Sequence, residues 1–366
     1  TGTRNAALGA NALDANTDAV DNTAVGYNSL TANTTGAANV AIGASALESN
    51  TTAGDNTAIG TASLAKNTTG ANNVACGRYA LTENTTGGFN TAVGRATLDA
   101  NTTGAANVAI GDSALGANTT ANDNTAIGAA ALESNTTGAS NVAVGRYALN
   151  ANTTASNNTA VGLSALLSNT TGASNVAVGQ GALASNTTAD NNTALGKAAL
   201  YNSTGANNTA VGREAMFANT TGTQNVAVGA NALDANTTGT RHVALGANAL
   251  GAVTTGNDNA AVGFNALTLN TSGTRGVAVG SYAMAANTTG SDNTGLGYGA
   301  LNLNTTGSQN TAIGRSALTA NTTADNNTAM GYLALTSNTT GTRNAAFGAY
   351  ALDAATTVND NTAFGY

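Results

Sequence analysis

Asparagine, a variable residue, alanine, an aliphatic residue and glycine recur along the whole chain, and the pattern within each such pentad alternates as a short β-strand does. In Asn39-Val40-Ala41-Ile42-Gly43, Val40 and Ile42 point to one side and Asn39 and Ala41 to the other. Both sets are uniform down the chain, which predicts a strand buried on each face, as parallel strands usually are. The Val/Ile face is expected to pack on the column Leu30, Leu47 and Leu64. The alanine face is smooth enough to admit another layer or another chain.

The pentad glycine recurs from Gly9 to Gly365 in 22 copies, and in 20 of the 21 intervals the step is seventeen positions, as from Gly26 to Gly43. The exception is Gly196 to Gly212, where Tyr201-Asn202-Ser203 is one residue short of its neighbours. Columns differ in tolerance. The fourth residue after the glycine is leucine except at Met216 and Met284, and outside the shortened repeat the seventh is asparagine with Val253 and Ala355 departing. The residue directly after the glycine varies freely (Tyr27, Thr61, Arg78, Asp112, Leu163, Lys197, Phe264), so it is expected to face solvent. Uniform inward columns and one variable outward column mark a solenoid.

From Gly26 to Gly196 the pentads alternate between Asn-Thr-Ala and Asn-Val-Ala. Duplication of a two-repeat unit accounts for this, and its breakdown after Gly196 favours that origin; a coil of two repeats is the alternative. One repeat per coil gives a rod of ~105 Å at ~4.8 Å per coil, and two give half that. The stretch Gly-x-x-Ala-Leu-x-x-Asn fits a second strand or one helical turn, of which the all-β coil is preferred. Asn-Thr-Thr-Gly predicts a polar turn in which glycine supplies positive φ and asparagine bonds its own backbone. Inward asparagines are expected to stack as amide ladders.

Composition sharpens this picture. The chain has no proline or tryptophan, 4% aromatic and 8% charged residues, and its 42% hydrophobic content is largely alanine. No wide core can be filled, so stability must come from stacking, backbone ladders and partner chains. A net charge of −7 with no basic patch argues against nucleic acid. No apolar run approaches the ~18 residues of a membrane span. The chain starts mid-repeat at Thr1 and stops one residue past a pentad at Tyr366, so a single solenoid domain over residues 1–366, excerpted from a longer fibre, is expected.

Nothing favours catalysis. His242 is the sole histidine, and His242, Arg213, Glu214 and Asp234 form no convergent set, so no enzyme, cofactor or metal is expected. Cys76 stands in the aliphatic column beside Ile59 and Val93 and reads as a small buried hydrophobe. Asp21, Asp55, Asp123, Asp258, Asp292 and Asp360 share the position before the pentad asparagine, where turn hydrogen bonding is preferred to calcium. Asn33, Asn50, Asn67, Asn84, Asn101, Asn118, Asn135, Asn152, Asn169, Asn186, Asn219 and Asn236 open formal N-glycosylation sequons, with plain turn chemistry as the alternative. Adjacent Thr34 and Thr35 would point to opposite faces of a strand, so a flat Thr-x-Thr ice-binding array is not formed there.

Strings such as Asn39-Val40-Ala41-Ile42-Gly43-Ala44-Ser45-Ala46 resemble the head repeats of YadA-like trimeric autotransporter adhesins and similar repeats of phage tail fibres. The resemblance spans all 22 repeats, although the family's repeat is shorter by about three residues around Asn-Thr-Thr. It implies a left-handed parallel β-roll, a homotrimer, a location outside the cell or on the virion, and adhesion. The preferred expectation is therefore an all-β parallel β-solenoid serving as a structural or adhesive extracellular fibre segment. It would self-associate as a homotrimer or filament and contact a surface receptor or glycan through Tyr27, Arg78, Tyr79 and Phe264. The alternatives are an ice-binding solenoid and a glycan-coated structural filament.

Overall fold

The computed structural model describes residues 2–366. It contains 22 strands of three residues, numbered in chain order from β1 (Ala6–Leu8) through β11 (Val176–Val178) and β12 (Thr193–Leu195) to β22 (Thr362–Phe364). The chain divides into two compact units, one running to Thr188 and the other Ala189–Tyr366. In the first, β1 to β11 pair in sequence order; in the second, β12 to β22 do the same; every pairing is parallel. Each unit is an all-β parallel solenoid.

Register settles the coil. Thr23 lies opposite Val40 and Val40 opposite Thr57, a shift of one repeat, so each repeat makes one full turn. The shortened repeat pairs Thr193 with Thr209 and leaves the strand ladder intact. It places Ser203, not Asn202, in the asparagine column, where the Ser203 hydroxyl accepts from Asn219 Nδ2 at 3.0 Å.

The faces of the strand are the reverse of the sequence expectation. The middle alanine (Ala24, Ala41, Ala58) is fully buried and shares the interior with the leucine column, while Ile42 is 39% and Ile59 40% exposed. The physical reason is width. Each coil turns inward the pentad asparagine and alanine, a small residue such as Ser29 or Ala46, one leucine, the second asparagine and a small corner residue such as Gly36 or Ala53. That slot is one leucine thick, and a Val/Ile column opposite the leucines would overfill it. Cys76 follows its column to the outer face, where it is half-buried and free.

The stretch after the glycine forms neither strand nor helix. Ala46 N–H donates to Gly43 O at 3.3 Å and Asn50 N–H to Leu47 O at 3.1 Å, closing two successive turns. The first has positive φ at its third residue, 58° at Ser45, as a type II turn requires, so its two central side chains project outward. The buried leucine adopts positive φ too, 51° at Leu47. The left-handed conformation costs about 1–2 kcal/mol, and burying a leucine returns about 1.5–3 kcal/mol.

The pentad glycines, and not those of Asn-Thr-Thr-Gly, need glycine's freedom. Gly145 has φ 132°, and a Cβ there would stand 2.6 Å from the Gly162 carbonyl oxygen in the next coil. Gly36 has no positive φ; a Cβ on it would also meet a carbonyl oxygen of the next coil, that of Ala53, but its column accommodates alanine at Ala53 and Ala121. What the corner uses is its carbonyl: Gly36 O accepts from both Asn22 Nδ2 and Asn33 Nδ2 at 2.9 Å.

Candidate functional site

Two asparagine columns line the interior of each coil. In one, Asn39 N–H and Nδ2 donate to Asn22 Oδ1 at 2.9 and 3.2 Å, and Nδ2 also reaches Ala53 O at 2.9 Å. In the other, Asn50 Nδ2 donates to Asn33 Oδ1 and to Ala53 O, both at 2.9 Å. These are the amide ladders expected from the sequence. A buried amide left unpaired would cost ~1–3 kcal/mol, so the ladder fixes coil register as much as it holds coils together.

This second column is the sequon column. Asn33, Asn50, Asn67, Asn84, Asn101, Asn118, Asn135, Asn152, Asn169, Asn186, Asn219 and Asn236 are all fully buried. Their Nδ2 atoms donate inward, to the carbonyl three residues on as in Asn33, or to the preceding amide as in Asn186 to Asn169 at 2.8 Å. A sugar is carried on that same nitrogen, and the folded interior has no room for one. A sugar-sheathed rod would need these buried, hydrogen-bonded amides to face outward.

Of the neighbouring threonines, Thr34 is half-buried with its hydroxyl donating to Thr51 O at 3.1 Å, and Thr35 is exposed. Only one open threonine column runs along this corner. A second lies on the strands. Thr23, Thr57, Thr91, Thr125 and Thr159 stand outward on the sheet face, beside the aliphatic column and alternating with Val40, Val74, Val108 and Val142. The signal was present in the strict Thr/Val alternation, but the inverted assignment of strand faces hid it.

This outer sheet face runs through successive paired strands of each unit. No side chain in its two columns is charged. In the first unit Ile42, Ile59, Val74, Ile110, Ile127 and Val176 are 37–40% exposed; in the second, Leu195, Val243, Val262, Val279 and Met330 are 37–46% exposed. Eleven strands at ~4.8 Å make each face about 50 Å long. Uncharged apolar strips of this extent mark interaction surfaces on soluble proteins.

The remaining candidates resolve into packing. His242 replaces an asparagine and copies its bonds: Nδ1 accepts from Asn259 N–H at 3.3 Å, and Nε2 donates to Gly256 O at 2.7 Å. Burial holds its imidazole below the ordinary histidine value, against smaller opposing pulls from the Gly256 carbonyl and Asp258. Asp21, Asp258, Asp292 and Asp360 accept from Arg4, Arg241, Arg275 and Arg343 one coil earlier, in the same column. Those guanidinium bonds hold the four carboxylates below their usual range. Arg213 pairs with its neighbour Glu214. Asp234 is pushed up mainly by burial and, to a smaller degree, by the nearby Glu214 carboxylate. Among the described residues, no three His, Cys, Asp or Glu side chains are placed to hold a metal ion.

In the first unit Gly116 leaves a shallow depression between Asp99 and Glu133. Burial raises Asp99, and Glu133, Ser113 and Ser134 line the same depression. No helix among the described residues is long and apolar enough to cross a membrane. No protein-family model matches this chain, and no curated protein matches it in sequence.

Proposed function

We propose that the chain is a segment of an extracellular structural fibre that self-associates, as a homotrimer or filament, through its outer sheet face. The observation that carries this reading is the uncharged aliphatic strip, kept apolar at every coil although it faces outward. A solenoid with no need of a partner gains nothing from holding that column free of charge. A thin core gives each coil little burial of its own, so covering the strip adds the apolar area that one chain lacks. Adhesion is part of the reading: variable side chains at the turns, Tyr27 and Arg78 among them, are free to differ from coil to coil.

The test is the oligomeric state by sedimentation equilibrium, for the wild type and for a triple variant, Ile42→Lys, Ile59→Lys and Ile110→Lys. A wild-type oligomer that becomes monomeric in the variant, with unchanged circular dichroism, is the expected result. A wild-type monomer, or a variant that stays assembled, overturns it. A second reading, ice binding, rests on the threonines that stand on the same face beside the aliphatic column. Thermal hysteresis from the monomeric wild type would favour it over the fibre.

A further inference from the structure

Eight of the chain's 14 aromatic residues lie between Phe264 and Tyr366, and six of them occupy the outward turn directly after the pentad glycine. Through seven consecutive coils of the second unit this turn carries Phe264, Tyr282, Tyr298, Arg315, Tyr332, Tyr350 and Tyr366. The rings touch in series. Centroids lie 5.5 Å apart for Phe264–Tyr282, 6.0 Å for Tyr282–Tyr298, and 5.3 Å for both Tyr332–Tyr350 and Tyr350–Tyr366. Arg315 bridges the gap, its Cζ 6.0 Å from the Tyr298 ring centroid and 5.8 Å from that of Tyr332. The result is a single file of rings about 30 Å long, all exposed but the half-buried Tyr350, with one cation inside it.

We infer that this file is a binding track for a linear polysaccharide bearing carboxylate or sulfate groups. Three observations select that occupant. First, the track is one side chain wide, which suits an extended polymer and falls far short of the ~800 Å² per partner of a standard protein interface. Second, the backbone beneath it is already paired. Tyr282 N–H donates to Phe264 O at 3.0 Å, and Ser316 and Tyr350 N–H donate to Tyr298 and Tyr332 O at 2.9 Å. An extended peptide adds to an open edge through main-chain bonds, and these are spent. What remains are ring faces, phenolic hydroxyls and a guanidinium, which can hold the C–H faces, hydroxyls and acidic groups of a sugar chain.

Third, Arg315 has no acid. Of the five arginines of the second unit, Arg213, Arg241, Arg275 and Arg343 are ion-paired, and Arg315 among the described residues has only the two tyrosines. A guanidinium between two rings keeps its edge open for a planar anion. One cation without an acid partner in seven coils is too little for nucleic acid, whose binding rests on many phosphate contacts. The track sets a contact surface on the turn corner, apart from the sheet face through which assembly is proposed, so the two readings fail separately.

Affinity electrophoresis of the full chain through gels containing polygalacturonate, dextran sulfate, hydroxyethylcellulose or poly(dT) tests it. Retardation by an acidic polysaccharide is expected, weakened about tenfold or more by Tyr298→Ala with Tyr332→Ala. Arg315→Gln should remove the preference for acidic over neutral polymer. Phe89→Ala, which removes an exposed ring of the other unit that lies outside this turn, should change nothing, and all variants should keep the wild-type melting temperature. Absence of retardation by either acidic polysaccharide, equal retardation of the double variant, or retardation by poly(dT) alone overturns the inference.

Discussion

His242 shows how strictly a single position is defined in this fold. Its ring nitrogens take over the two bonding roles of the asparagine amide it replaces, and it is the one titratable ring in a column of neutral amides. Because burial lowers its folded value, the unfolded chain binds a proton more readily. Its contribution to stability is therefore fully present above the ordinary value of 6.5 and is lost as pH falls below it. The melting temperature of the second unit should drop between pH 7.5 and pH 5.5, and His242→Asn should flatten that dependence by restoring the amide. Calorimetry at the two pH values checks this; an equal drop in both proteins would show that another group is responsible.

Elements here are columns running across coils rather than segments of chain, and their defects are local. Val253 interrupts the second amide ladder, and Asn236 Oδ1 beneath it is buried without a donor; Ala355 leaves Asn338 Oδ1 in the same condition. Restoring the donor with Val253→Asn should stabilise the second unit by about 1 kcal/mol, read as a higher denaturation midpoint. An unchanged or lower midpoint would mean that the lost valine packing outweighs the amide. The glycine column makes the opposite point. Gly145→Ala puts a side chain at φ 132° and drives Cβ against the Gly162 carbonyl, so a loss of about 2 kcal/mol or more is expected. Gly116→Ala, with ordinary φ and nothing nearer than 3.4 Å, should be close to neutral in the same urea titration.

At the scale of the molecule, much was legible in the sequence because each coil repeats the same interior. The uniform glycine, leucine and asparagine columns predicted a parallel solenoid, the amide ladders and the outward position of residues such as Tyr27 and Phe264. The one-residue deletion at Tyr201–Ser203 was legible as a loop event, though only the structure shows that Ser203 fills the ladder position. The candidate site was less legible. Period-two alternation separates two faces of a strand without saying which is inside, and here the smaller side chain goes in. That reversal also moved Cys76 outward and hid the sheet-face threonines. The sequons read as surface features because Asn-Thr-Thr is polar, yet the amide is drawn in by a carbonyl that only the corner geometry supplies.

The sequence by itself determined the period, the parallel class, the constant spacing of inward amides and the absence of charge from the strand, since each is a property of columns that recur once per repeat. Only the tertiary structure decided which face is buried, that one repeat closes one coil, and that rings from successive coils line up in a track. Those depend on the width of the interior and on which turn residues take positive φ, distances and angles that no single repeat carries until its neighbours are stacked on it.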